Sequence, residues 1–456
     1  MSSDFAHLNF KSKEQSYMKL NIKQYRQLRP YLMLWSTQSL SALGSSMTSF
    51  ALVIWLYQRS GSALETAMLS ICSYAPYVVM SIFAGALSDR WDKRRTMLAC
   101  DLSAALCTIV VLLLLRADAL QPWHMYVLNA VSGLMNTVQQ PASDVATTRL
   151  VPREYYQQTC GLRSFSQSLN TILTPALASA LFAFAGMELV IAVDLITFGI
   201  AFATLGLFIR IPDAAKVDMA REKLLDSARA GLAWLRRNRL ILHLIMFLAW
   251  INLVASAYEA ALPAMILPRA GGGETVLGLV NSCGGVAMLL GSLAATLLPA
   301  PRNRVRALCL ALMVAMGTEN FMLALGRTPL IWCVGSVLGW ITIPIMNAQL
   351  DVINRSTIPV DMQGRVYSCR NALQFFTIPL GYFFGGLLID KVCEPLMATL
   401  GPDSVLVRLL GSGKGSGAAL MLLLLGFAGV AVCVAYWRIL RGYDWREPAG
   451  VTSRGI

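Results

Sequence analysis

Twelve stretches of this chain are long, apolar and nearly free of charge: 31–57, 65–88, 96–115, 122–146, 160–185, 187–209, 241–267, 276–299, 307–325, 329–353, 367–390 and 416–438. A helix of about 20 apolar residues crosses the ~30 Å of hydrocarbon in a bilayer. A backbone in lipid must satisfy its own amides and carbonyls, which leaves helices and closed barrels. Apolar residues here run in blocks rather than alternating with polar ones, so a barrel is excluded. Composition agrees. Of 456 residues, 56% are hydrophobic and only 14% are Asp, Glu, Lys or Arg, against about 25% charged in soluble domains. That is too little polar surface for a soluble particle and too much apolar residue for a disordered one. The sequence predicts an all-α polytopic membrane protein with twelve transmembrane helices.

The net charge of +13 would suggest nucleic acid in a soluble protein. Here the basic residues punctuate the apolar blocks, and no nucleic-acid partner is expected. With the N-terminus inside, 31 of the 38 Lys and Arg fall in inner segments. Such a bias places both termini in the cytoplasm. A bacterial-type cytoplasmic membrane is the expected location. The division reads as a tail at 1–30, a six-helix bundle at 31–209, a linker at 210–240, a second six-helix bundle at 241–438 and a tail at 439–456. Leu224, Leu225, Ala228, Leu232 and Leu235 give the linker helical apolar spacing, as expected of a helix lying on the inner leaflet.

The halves repeat a pattern. Asp144, Pro152, Glu154, Arg163 and Gln167 recur as Asp351, Pro359, Asp361, Arg370 and Gln374, all at an offset of 207 residues. Both copies join the fourth and fifth spans of their half. Two pseudo-symmetric bundles in parallel repeat, enclosing a site near mid-membrane, is the plan of many secondary transporters. The bland reading of Asp144, Arg163, Asp351 and Arg370 is a structural elbow without a role in substrate chemistry.

The loop after the second span reads Gly85-Ala86-Leu87-Ser88-Asp89-Arg90-Trp91-Asp92-Lys93-Arg94-Arg95. It resembles the signature loop of the major facilitator superfamily, G-x-x-x-D-R-x-G-R-R, with Asp92 where Gly is usual. That departure resembles the macrolide-efflux branch of drug:proton antiporters, as do Gln38-Ser39-Leu40-Ser41, Asp194 and Gln363-Gly364-Arg365-Val366. The resemblance implies the twelve-helix fold of that superfamily. It also implies that Gly85, Asp89, Arg90, Arg94 and Arg95 latch the cytoplasmic side in one conformation. Pro175 and its small neighbours resemble a degraded antiporter motif, which weakly favours export.

A charge in hydrocarbon is expensive, so an acid deep in a span needs a reason. Asp194, Glu259 and Glu319 are the deepest and are candidates for proton coupling; the bland reading of each is an ion pair or a helix cap. Asp101 is early in span three, and Asp390 is at the outer end of span eleven. The first span carries no acid. Gln38, Ser41, Ser45, Tyr74, Asn252, Trp340 and Gln374 are candidates for the substrate cavity. No His/Cys spacing suits a metal, and no G-x-S-x-G, P-loop or H-E-x-x-H suggests an enzyme. No cofactor is expected. The expected function is proton-coupled, alternating-access efflux of an amphipathic small molecule such as a macrolide-like drug, siderophore or peptide natural product. The expected partners are that substrate, protons and the lipid bilayer, with the chain monomeric. The alternatives are a lysophospholipid transporter of the same fold, or a receptor on a transporter scaffold.

Overall fold

The computed structural model describes residues 3–90, 92–152, 155–211, 224–299, 301–359 and 362–443. Side chains are described throughout these except at 3–27, 81–90, 156–157, 224–228, 363–364 and 368. Among the described residues every regular element is helical. The long elements are α1 (Ser3–Ser60), α2 (Ala63–Arg90), α3 (Lys93–Arg116), α4 (Pro122–Leu150) and α5 (Tyr156–Ala203, closed by a π-turn at Thr204–Phe208). Then come the linker helix α6 (Leu224–Arg237), α7 (Arg239–Ile266), α8 (Glu274–Leu297) and α9 (Arg304–Leu325). The chain ends with α10 (Pro329–Trp340), α11 (Ile343–Thr357), α12 (Gln363–Phe375), α13 (Thr377–Leu388), short α14 (Glu394–Thr399) and α15 (Val405–Leu410), and α16 (Ser416–Leu440).

Ten helical stretches among the described residues are long and apolar enough to cross a membrane. The remaining two of the twelve spans have separate explanations. The stretch Gln158–Phe208 is double length, and Gly186 divides it with φ 73°. That left-handed geometry is readily adopted only without a Cβ, so the chain turns back there into a second span. Helix α4 is long enough but less apolar, because amides and hydroxyls such as Asn129, Asn136, Gln140 and Ser143 interrupt it. Two spans are each built of two helices. Pro344 opens α11 after a break at Ile341 and Thr342. Pro379 sits in the first turn of α13, where it withholds an N–H from the preceding turn and permits the bend from α12.

Helix α1 lies between the two arms of α5. Its Trp35 Nε1 donates to the Leu162 carbonyl at 3.1 Å on the first arm. Gly44 meets the second arm at Asp194 and Thr197 so closely that a Cβ would collide. The two halves touch along two seams. In one, Gly278 of α8 rests on Ser179 and the Pro175 carbonyl of α5, and Ser282 Oγ donates to the Ile172 carbonyl at 2.9 Å. In the other, Gly386 of α13 packs on the backbone of Ala63 and Leu64. Small residues let membrane helices approach this closely, where packing replaces the hydrophobic effect as glue.

The linker helix α6 was expected against lipid. It packs on protein: Leu235 is fully buried, and Gly231 abuts the Arg365 carbonyl and Cys369 of α12. Leu232 stays exposed.

Candidate functional site

A cavity of about 1050 Å³ opens within the first half. Its described lining comes from α1 to α5. Phe50, Val53 and Leu69 line one end and Tyr31, Asp144, Thr148 and Arg163 the other, where the half-exposed Asp144 and Arg163 mark its mouth. The mouth therefore lies at the end of the bundle that carries the basic loops.

The wall is polar because helix spacing makes it so. On α4, Asn129, Asn136, Gln140, Ser143 and Thr147 follow one another by seven, four, three and four residues, and all line the cavity. Such intervals keep side chains on one face of a helix. This face is what removes α4 from the apolar stretches. On α1, Gln38, Ser41, Ser45 and Ser46 line the cavity. Across it, Asn170 Nδ2 donates to Ser46 Oγ at 3.0 Å.

Two carboxylates are built into this wall. Asp194 is almost wholly buried; it accepts from Ser45 Oγ at 2.9 Å and from Thr108 Oγ1 at 3.5 Å. Asp101 accepts from Gln38 Nε2 at 3.0 Å and from Gln139 Nε2 at 2.5 Å. Asp144 and Arg163 form an ion pair at the mouth, both side chains about half exposed.

The opposite end is sealed by contacts between halves. Asp390 sits beyond α13 and caps the start of α2. Its carboxylate accepts from Ser62 Oγ at 2.6 Å, Ala63 N at 3.0 Å and Leu64 N at 2.9 Å. Tyr57 donates to the Ala264 carbonyl at 3.1 Å, and Gln58 to Glu274 at 2.8 Å. Contacts between the halves thus close this end, while among the described residues of the basic end Asp144 and Arg163 stay about half exposed.

The predicted residues divide accordingly. Gln38, Ser41, Ser45, Tyr74 and Asp194 line the cavity. Tyr74 also stacks on Tyr382 across the seam, with ring centroids 6.4 Å apart. Asn252, Trp340 and Gln374 were expected on the wall and are not among its described lining. Asn252 donates to the Gln374 carbonyl at 3.2 Å inside the second half, and Trp340 packs against Gly284. Glu319 is also off the cavity, buried and bonded to Tyr258 at 2.6 Å, with Gly339 leaving room for its carboxylate. Glu259 stands on α7, within electrostatic reach of Tyr74, Tyr258 and Tyr382.

In the expected latch, the side chains of Gly85, Asp89 and Arg90 lie outside the described residues. Arg94 donates to the Leu205 carbonyl at 3.1 Å and to that of Gly206, so it caps the end of the second arm of α5. The backbone N–H of Arg95 donates to Asp92 Oδ1 at 2.7 Å. Asp92, the departure from the family pattern, is thereby the N-cap of α3. The two elbows differ. Among the described residues no ion pair joins Asp351 to Arg370; Arg370 donates to Asn371 at 3.3 Å and lies over the Tyr367 ring.

Asp101 and Asp390 were noted from sequence by position but given no role, and Gln139 was not singled out. The polar spacing along α4 was a readable signal for the wall. That Asp101 meets Gln38 and Gln139 depends on three helices converging.

Residues 34–382 match the Major Facilitator Superfamily, and the chain belongs to that family of membrane transporters. Within it the chain resembles the macrolide-efflux branch. It is 23% identical over 364 residues to macrolide efflux protein A of Streptococcus pyogenes, covering 79% of this chain and 89% of that one. It is 24% identical to the multidrug efflux pump Tap of Mycolicibacterium fortuitum, covering 84% and 94%. Among solved structures, a bacterial homologue of the human lysosomal transporter Spinster, inward-facing and unoccupied, matches with a TM-score of 0.66 at 14% identity, covering 92% of this chain and 99% of that one. The chain is a multi-pass transporter of small molecules with efflux pumps among its relatives.

Proposed function

We propose that the protein exports an amphipathic small molecule from the cytoplasm in exchange for protons. It works as a monomer in a bacterial-type cytoplasmic membrane, with both termini cytoplasmic. The two bundles, 31–209 and 241–438, rock about the seams α5/α8 and α2/α13 to present the cavity to each side in turn. The observation that carries this reading is Asp194, held on the wall of a basic-end cavity by two hydroxyl groups. A hydroxyl donates to a carboxylate and accepts from a carboxylic acid, so the cluster stays satisfied as the proton comes and goes. The membrane potential contributes about 2.3 kcal/mol per charge per 100 mV, enough to drive such a cycle. Glu319, off the cavity, is assigned to packing of the second half. The efflux proteins among the relatives support the direction of transport.

The test uses the full chain reconstituted in vesicles with an imposed pH gradient. Substrate addition is expected to move protons, and Asp194→Asn is expected to abolish that movement. Wild-type levels of coupling in Asp194→Asn would overturn the assignment. Lysolipid uptake without drug efflux would replace the substrate class.

A further inference from the structure

Asp194 shares its wall with Asp101, and the two are placed in register. On α1, Gln38 and Ser45 are seven residues apart; on α3, Asp101 and Thr108 are seven apart as well. Both helices run from the open end toward the sealed end. Seven residues of helix rise about 10.5 Å. The wall therefore carries two carboxylate clusters on successive rungs, with Asp101 nearer the mouth and Asp194 about two turns deeper.

The rungs differ in chemistry. Asp194 is met by hydroxyls, which donate or accept. Asp101 is met at one oxygen by the NH₂ of Gln38 and at the other by the NH₂ of Gln139. A carboxamide NH₂ donates only. This arrangement is complete while both oxygens of Asp101 accept, that is, while it is a carboxylate. Among the described lining residues Arg163 is the one cation, and Asp144 already pairs with it. Asp101 thus presents a negative charge to the cavity with no cation of the described wall to answer it. Trp35, Phe50 and Phe198 supply apolar surface on the same walls. Among the described residues no group of three His, Cys, Asp or Glu is placed to hold a metal ion. The complement of this wall is an organic cation.

We propose that Asp101, fixed by Gln38 and Gln139, is the docking point for the positively charged amine or ammonium head of the transported molecule. Asp194 carries the proton one rung deeper. The second clause rests on the proton-exchange reading above; the first rests on the geometry of the wall. In this division Gln38 and Gln139 are positioning residues that hold the anion in place.

The experiment titrates the purified full-length protein with two fluorescent probes: ethidium, a permanent cation, and Nile red, a neutral amphipath. Asp101→Asn is expected to weaken ethidium about tenfold or more, a change of about 1.4 kcal/mol, and to leave Nile red within about twofold. Asp101→Glu, which keeps the charge, is expected to recover part of the loss. Asp194→Asn is expected to lose the proton exchange that accompanies ethidium binding, so that its ethidium affinity no longer depends on pH. Equal loss of both probes in Asp101→Asn would make the residue structural and overturn the proposal. Unchanged ethidium affinity in that variant, or no ethidium binding by the wild type, would overturn it too. If ethidium depends on Asp101 but no variant exchanges protons, the docking assignment stands and proton coupling falls. If protons move but ethidium ignores Asp101, the reverse holds.

Discussion

The two halves share a connection plan and an elbow motif but have different interiors. The first is hollow: Asp101 and Asp194 face a cavity and are held by side chains from neighbouring helices. The second is packed. Its Glu319 is bonded to Tyr258 and enclosed by α10, and its glycines Gly381 and Gly385 press onto the backbone of α7. The elbow follows suit, closed as an ion pair in the first half, while among the described residues no ion pair joins Asp351 to Arg370 in the second. The repeat has kept helix order and direction while the chemistry of each interior diverged. Pseudo-symmetry of sequence is therefore a guide to topology and a poor guide to which residues face the cavity.

The sharpest way to break this comparison is to treat the two acid clusters alike. Asp194→Asn is expected to bring pH-gradient-driven transport down to that of protein-free vesicles. Tyr258→Phe removes the donor to Glu319 and should cost about 1–3 kcal/mol of stability, seen as a lower Tm, with coupling retained. If Tyr258→Phe uncoupled transport as fully as Asp194→Asn, the packed half would be as chemical as the hollow one.

The seam tests the packing itself. Gly278→Leu drives a side chain into Ser179 and the Pro175 carbonyl. Overpacking of this kind is expected to cost about 1–3 kcal/mol, read as a lower Tm and weaker transport. A variant as stable as wild type would show that the halves do not meet there. At the sealed end, Asp390→Ala strips the cap from α2. A cap is worth about 1 kcal/mol, which shifts an open-to-shut ratio about fivefold. Distances measured by spin labels across that end should gain a longer population, and an unchanged distribution would count against the seal. The smallest effect belongs to the elbows. Asp144→Ala breaks a half-exposed pair and should cost at most about 1 kcal/mol. Asp351→Ala, with no pair to Arg370 among the described residues, should leave Tm unmoved. Equal losses would restore the symmetry between the halves.

Most of the architecture was legible in sequence because the bilayer imposes it locally. Block length gave the spans, and Gly186 marks the turn between the fifth and sixth. Asp92 was read only as a departure from the family pattern, and its role as the N-cap of α3 came from the structure. The cavity wall was less legible. Polar spacing along α4 is local, yet its meaning depends on which side of α4 faces neighbours. Asp101 stands near the start of its span and gains its role only where α1 and α4 bring Gln38 and Gln139 to it. Asn252, Trp340 and Gln374 were placed on the wall on the expectation that both halves line it. Their half closes around itself through contacts distant in sequence, such as Asn252 with Gln374.

The cap on α2 has a consequence for the order of events. One bundle begins that helix and the other supplies its anion. Parting the bundles on the far side leaves the first amides of α2 facing water and Asp390 without its donors. On the export cycle proposed above, the return of Asp390 would act as a cork that reseats itself, and release to the exterior would be brief.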